Sequence, residues 1–222
     1  MKKEDAPKKR NGYYYRDNKQ YVSVTKVLGD VLNKPALIYW TGREATRIAL
    51  KNPWLNEKEV MAELQLQQRA TQGRGKYVHS IAETAPESFV VNFDEPKLEY
   101  EGYIKALKSW WETFKPEVIG REVEAFSDSL GCACRVDNFS RFNGFKWLLD
   151  FKTGKDIYRE VGLQLAFGKQ ALKEDKIFEA DKTGVVLLME TGEFKFQETN
   201  DTIFEFINVL NVWNWMQKKG GD

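Results

Sequence analysis

The apolar positions of this chain change their period part-way along. As far as about residue 115 they recur every three to four residues; from there to about residue 152 they fall in short alternating runs. Tyr13-Tyr14-Tyr15 and Gln20-Tyr21-Val22 flank the polar Arg16-Asp17-Asn18-Lys19, which predicts a small hairpin. Ser23 reads as the N-cap of a helix through Val24, Val27, Leu28 and Val31. Pro35 opens a second, through Leu37, Trp40, Ala45 and Ile48. A third spans about Asn56 to Arg69, with Met61, Leu64 and Leu66 as its apolar positions. Gly73-Arg74-Gly75 is expected to break the pattern, with a short helix carrying Val78, His79, Ile81 and Ala82 beyond it. A long amphipathic helix is predicted over about Glu95–Phe114, ended by Pro116.

Strand character then takes over in Glu122–Ser127, Cys132–Phe139 and Phe145–Lys152, with turns at Gly131 and Asn143-Gly144. A helix from about Arg159 to Lys173 follows, then a hairpin of Gly184–Glu190 and Glu193–Gln197, then a helix from Thr202 to Gln217. Trp110, Trp111, Trp213 and Trp215 lie on amphipathic helices and read mainly as core. The order predicts an α/β fold: a mixed central β-sheet flanked by helices, with an N-terminal helical elaboration. Residues 1–11 are expected to be a disordered basic tail, and 12–222 one domain, mainly helical over 12–115 and sheet core with a C-terminal helix over 116–222.

Composition narrows the class. The 222 residues are 14% aromatic, as a packed chain requires, and the net charge of +1 provides no global basic field. A nucleic-acid site would have to be a local patch. Cys132 and Cys134 are too few for a disulfide framework or a four-cysteine cluster, so no iron–sulfur cluster is expected. No apolar run is long enough to span a bilayer and no secretion signal opens the chain, so a cytoplasmic location is expected.

The chemistry concentrates around Trp147-Leu148-Leu149-Asp150-Phe151-Lys152-Thr153-Gly154. On a strand Asp150 and Lys152 share one face while Leu149 and Phe151 share the other. An acid among Leu and Phe is costly to bury unless paired or bound to a metal, and Asp137, one hairpin upstream, can share that metal. In chain order the set is His79, Glu122, Asp137, Asp150, Lys152 and Gln164. Carboxylates suit magnesium or manganese, a bound cation assists phosphodiester hydrolysis, and a nearby lysine can orient water or stabilise developing charge. Each member also has a bland reading. A lone histidine is usually a surface or satisfied core residue, Asp150 can merely pair with Lys152, and Glu122 and Glu124 can be solvated strand residues. Arg69, Arg74, Lys76 and Lys169 can hold phosphates or form a solvated face. Trp40 and Tyr77 can stack on bases or pack.

These residues resemble a known family, the RecB-like exonuclease branch of the PD-(D/E)XK nuclease superfamily, closest to phage-type and mitochondrial genome-maintenance exonucleases. The likeness runs from about Tyr21 to Lys173. Ser23-Val24-Thr25-Lys26-Val27-Leu28, Lys34-Pro35-Ala36-Leu37 and Trp40 resemble its N-terminal helices, and Arg74-Gly75-Lys76-Tyr77-Val78-His79 its Gly-x-x-x-His motif. Asp150-Phe151-Lys152-Thr153-Gly154 matches its Asp-x-Lys-Thr core, and Gln164-Leu165-Ala166 its glutamine helix. The resemblance implies a divalent-metal-dependent DNA exonuclease acting on single strands or duplex ends in recombination, repair or replication, with a recombination or replication protein as partner. It implies His79, Asp137, Asp150 and the Phe151 carbonyl as metal ligands and Lys152 as the catalytic lysine. Gln164 would position the DNA backbone or the lysine, and Glu122 or Glu124 would be a further carboxylate. Arg69, Arg74, Lys76, Gln164 and Lys169 are the candidate DNA contacts. Two positions depart from the branch: Cys134 stands where glycine is usual, and Gly168 where tyrosine is frequent. The departures keep two alternatives open: a nuclease-fold subunit that binds DNA without turnover, and a structure-selective endonuclease.

Overall fold

The computed structural model describes residues 11–32, 35–86 and 100–218. The predicted tail, apart from Asn11, and the first residues of the helix expected from Glu95 lie outside the described residues. The elements run β1 (Tyr13–Arg16), β2 (Lys19–Ser23), α1 (Val24–Val31), α2 (Pro35–Lys51), α3 (Glu57–Thr84), α4 (Glu101–Phe114), β3 (Glu117–Ser127), β4 (Cys132–Phe142) and β5 (Phe145–Thr153). They continue with α5 (Glu160–Glu174), β6 (Lys182–Leu188), β7 (Phe194–Thr199) and α6 (Ile203–Gln217).

The seven strands form one mixed sheet in the order β1-β2-β4-β5-β6-β7, with β3 paired to β4. The pairs β2/β4 and β5/β6 are parallel and the others antiparallel. The alternation of β5 distributes its side chains to two cores. Leu148 joins Cys134, Val136 and Val185 under α1, α5 and α6. Trp147, Leu149 and Phe151 face the other way, against Val78 and Ala82 of α3 and Tyr103, Leu107 and Trp110 of α4. Phe151 is 1% exposed, and burial of such a side chain contributes about 1.5–3 kcal/mol. The expected α/β architecture with helices on both faces of a mixed sheet is therefore present.

α3 corrects the expected break at Gly73-Arg74-Gly75. It runs unbroken for 28 residues. Neither glycine is among those with positive φ, so each merely weakens the helix by about 1 kcal/mol relative to alanine. Against that stand a capping box of Asn56 and Glu59 and two buried anchors, Val60 with Leu64 near one end and Val78 with Ala82 near the other. The first anchor packs on Ile48 of α2 and the second on the sheet. Between them the helix crosses solvent. Leu37, Met61 and Leu66, read from the sequence as inward positions, are exposed, as is Trp215. Trp215 lies two residues beyond the buried Trp213, about 200° round a helix. Gly102 has a steric role: a Cβ there would sit 1.7 Å from the Glu190 carbonyl, so α4 meets the β6–β7 turn backbone to backbone.

Candidate metal centre at a strand fork

The site begins where β4 loses a neighbour. β5 pairs with β4 from Phe142↔Phe145 to Asn138↔Leu149, and β2 pairs with β4 at Cys132 and Ala133. Between those stretches, residues 134–137 have β3 along one edge and neither β2 nor β5 along the other. Past Leu149, β5 follows β6, with Asp150↔Val185 and Lys152↔Leu187. The two strands fork, and Asp137 spans the gap: its Oδ2 accepts the Phe151 backbone N–H at 3.0 Å.

The two acids are met by different helices, because β4 loses its regular alternation at Asp137: Val136 and Phe139, three residues apart, enter the same core. Asp150, 2% exposed, points toward α5. Its Oδ1 accepts from Lys152 Nζ at 2.9 Å and from Gln164 Nε2 at 3.4 Å. Its Oδ2 lies 2.7 Å from the same ammonium as an ion pair, yet is buried without a hydrogen bond. Burial alone would lower the Lys152 pKa; the Asp150 and Asp137 charges outweigh it and hold the ammonium above its ordinary value. Lys152 is therefore a cation at neutral pH.

Asp137 points toward α3, where its Oδ2 lies 3.5 Å from His79 Nδ1. Glu122 completes the group. One ligand atom from each of His79, Glu122 and Asp137 lies within 4.8 Å of the others, the one such group among the described residues. Glu122 also ion-pairs with Arg135. Burial, followed by repulsion from Asp150, pushes the Asp137 carboxyl up to about 7. Burial also raises Glu122, partly offset by Arg135. Two elevated carboxylates beside one imidazole make a locus that favours added positive charge. Glu122 further has a left-handed backbone, φ +50°, in mid-strand, which costs a non-glycine residue on the order of 1–3 kcal/mol.

The structure thus brings His79 and Asp137 together, with Glu122 rather than Glu124 as the glutamate of the group; Glu124 lies opposite Arg135 in the strand register. Asp150, Lys152 and Gln164 gather on the α5 side of the fork, and Asp150 stands outside the 4.8 Å group. The Asp150–Lys152 pair of the bland reading does exist, but beside the other acids and not in isolation. The donor set suits a hard divalent cation with some tolerance for nitrogen, and Asp150 Oδ2, paired with the Lys152 ammonium, is a further oxygen at the fork.

The basic candidates are dispersed. Arg69 and Lys76 are exposed on α3. The Arg74 guanidinium lies 4.8 Å over the Tyr103 ring, with a buried Nε that has no hydrogen-bond partner. Lys169 donates to the Asp181 carbonyl at 2.8 Å. Tyr77 packs on Tyr100 at 5.5 Å between ring centroids, and Trp40 packs on the α2–α3 cluster. The two departures from the family pattern face each other. A Cβ on Gly168 would lie 3.3 Å from Leu148 Cδ2, 3.4 Å from Val136 Cγ2 and 3.7 Å from Cys134 Sγ. A side chain at 168 would press on Leu148 and Val136, because the helix lies close to the sheet there. Sequence reasoning missed Arg135; the signal available was its position two residues before Asp137, on the same strand face. A wider concavity of about 810 Å³ lies on α2 around Ile38, Arg43 and Leu50, away from these carboxylates.

No family model matches the chain, and no curated protein matches it. The solved structures that align with it include the following two. A protein named "Putative exonuclease" from Eubacterium rectale aligns with a TM-score of 0.48 and 15% identity, over 88% of this chain and 77% of its own. The protein SSO0001 aligns with a TM-score of 0.42 and 14% identity, over 92% and 79%. Both likenesses are too loose to speak to chemistry, which rests on the site itself. No described helix is long and apolar enough to cross a membrane.

Proposed function

We infer that this protein is a divalent-metal-dependent deoxyribonuclease that hydrolyses phosphodiester bonds from DNA ends. The observation that carries the reading is the meeting of His79, Glu122 and Asp137 within 4.8 Å, across a strand fork from a buried Asp150–Lys152 pair. These five residues come from four separate elements, and no packing need explains their convergence. His79, Glu122 and Asp137 would hold magnesium or manganese, with Asp150 and the Phe151 carbonyl at the fork completing the ligands. The bound cation would supply charge neutralisation at the phosphate and a more acidic water.

The chain's own residues supply the rest. Asp137 is held in orientation by the Phe151 N–H. Lys152 is a cation fixed by Asp150, so its ammonium is placed to stabilise charge developing on the phosphoryl oxygens or to orient the attacking water. Gln164 steadies the Asp150 carboxylate from α5. Hydrolysis would leave a 5′-phosphate and a 3′-hydroxyl. Action at ends, and a role in recombination, repair or replication with a protein partner, follow from the sequence resemblance.

The test uses end-labelled single- and double-stranded DNA and closed circles, with manganese, magnesium or EDTA, and wild type beside Asp150→Ala and Lys152→Ala. A chelator-sensitive ladder from one end that both variants lose is the expected result. Cutting of closed circles would make the protein an endonuclease. DNA retention without products under every metal condition would make it a binding subunit.

A further inference from the structure

The reading above leaves Arg135 without a task, and its surroundings set it apart. Its side chain leaves β4 on the same face as Asp137, two residues away, and about half of it is in solvent. It closes on Glu122, an acid of the His79–Glu122–Asp137 group. A pair with so exposed a partner adds little to stability, so it does not account for the strained backbone at Glu122. The arrangement fits a carboxylate serving two cations in turn. With no metal present, the guanidinium satisfies Glu122. Once a divalent cation draws the carboxylate, the planar fork of N–H donors on Arg135 loses its acceptor at the rim of the site. A phosphodiester, with one negative charge shared over two non-bridging oxygens, is an acceptor such a fork matches well.

We propose that Arg135 is the phosphate-binding residue of this centre, latched by Glu122 in the metal-free protein and released to the nucleic-acid backbone when the cation binds. This rests on the nuclease reading, and it couples cation binding to strand binding through one ion pair. Arg135 is thereby a substrate contact, while Glu122 acts on the substrate only through it and through the cation.

Fluorescence anisotropy with a labelled single strand tests the coupling without turnover, in EDTA and in calcium, across a salt series. Wild type should bind roughly tenfold tighter in calcium. Arg135→Gln should lose most of that gain, and its slope of log affinity against log salt should shrink by about 0.7, one phosphate contact on a single strand. Arg135→Lys, which keeps the charge and loses the fork, should keep the slope and recover part of the gain. Glu122→Gln should bind several-fold tighter than wild type in EDTA, because the latch is open, and the Glu122→Gln/Arg135→Gln double variant should not. Persistence of that gain in the double variant would show a simple charge effect and overturn the proposal. So would an unchanged calcium response in Arg135→Gln. Manganese-dependent cleavage by wild type, absent in Lys152→Met, is followed in parallel. If cleavage stands while Arg135→Gln binds like wild type, only the latch falls; if wild type neither cleaves nor binds, both readings fall.

Discussion

On the α5 side of the sheet the Asp150 carboxylate is met by an ammonium at 2.7–2.9 Å and by an amide; on the α3 side Glu122 and Asp137 share one imidazole and one guanidinium drawn in from the rim. The two halves lie within reach of each other through the fork, yet their electrostatics differ. The Asp150 side is balanced by its own lysine. The Asp137 side holds more negative charge than its neighbours offset, and its carboxyl is pushed up to about 7 as a result. One half of the site is charge-balanced as it stands and the other is not. Under the nuclease proposal, the first half would carry the catalytic lysine and the second would draw the cation, with Asp150 as a shared ligand at the fork.

The largest effect should come from emptying the second half. Asp137→Asn keeps an acceptor for the Phe151 N–H but removes the charge. Cleavage should fall by roughly a thousandfold or more, and manganese binding by calorimetry should be lost. The same change should stabilise the metal-free protein at pH 8. Between about 3.8 and about 7 the folded Asp137 keeps a proton that the unfolded chain has released. Stability therefore falls as pH rises through that window, and above it the full penalty, on the order of a few kcal/mol, applies. Asn should remove that pH dependence, read as melting temperature against pH in EDTA.

Lys152→Met strikes the first half. Activity should drop by about 10²–10³-fold, whereas manganese affinity should change by no more than roughly threefold. Equal losses of both quantities would erase the division of labour. Metal binding itself should strengthen as pH rises to about 7 and then level off, with proton release below that pH that fades above it. Calorimetry in buffers of different ionisation enthalpy reads that release. The smallest effect is expected of Gln164→Ala. Its contact with Asp150 is long, 3.4 Å, so activity should fall less than about tenfold and melting should barely move.

Much of the scaffold was legible in the residues. β1 and β2 were readable from a tyrosine-rich pair of runs around a polar turn, and α6 from Thr202 with Glu205 three residues on, which form a capping box. The opposite facing of Asp150 and Phe151 follows from strand alternation alone. Gly73 and Gly75 misled because propensity weighs each residue by itself, while α3 is anchored at two distant points and tolerates a weak middle. Glu122 could not be told from Glu124 along the chain; the choice depends on which carboxylate the fold brings beside His79 and Asp137.

What the sequence determined by itself was local: which stretches coil or extend, where helices are capped, and which side chains share a strand face. These depend on neighbours within a few residues, whose spacing the chain carries directly. Only the tertiary structure decided that β4 and β5 would part beside Asp137, that a 28-residue helix would deliver His79 there, and that Arg135 would close on Glu122. Those outcomes depend on where paired edges end and on how buried charges are compensated through space, and neither quantity is encoded in the spacing of residues along the chain.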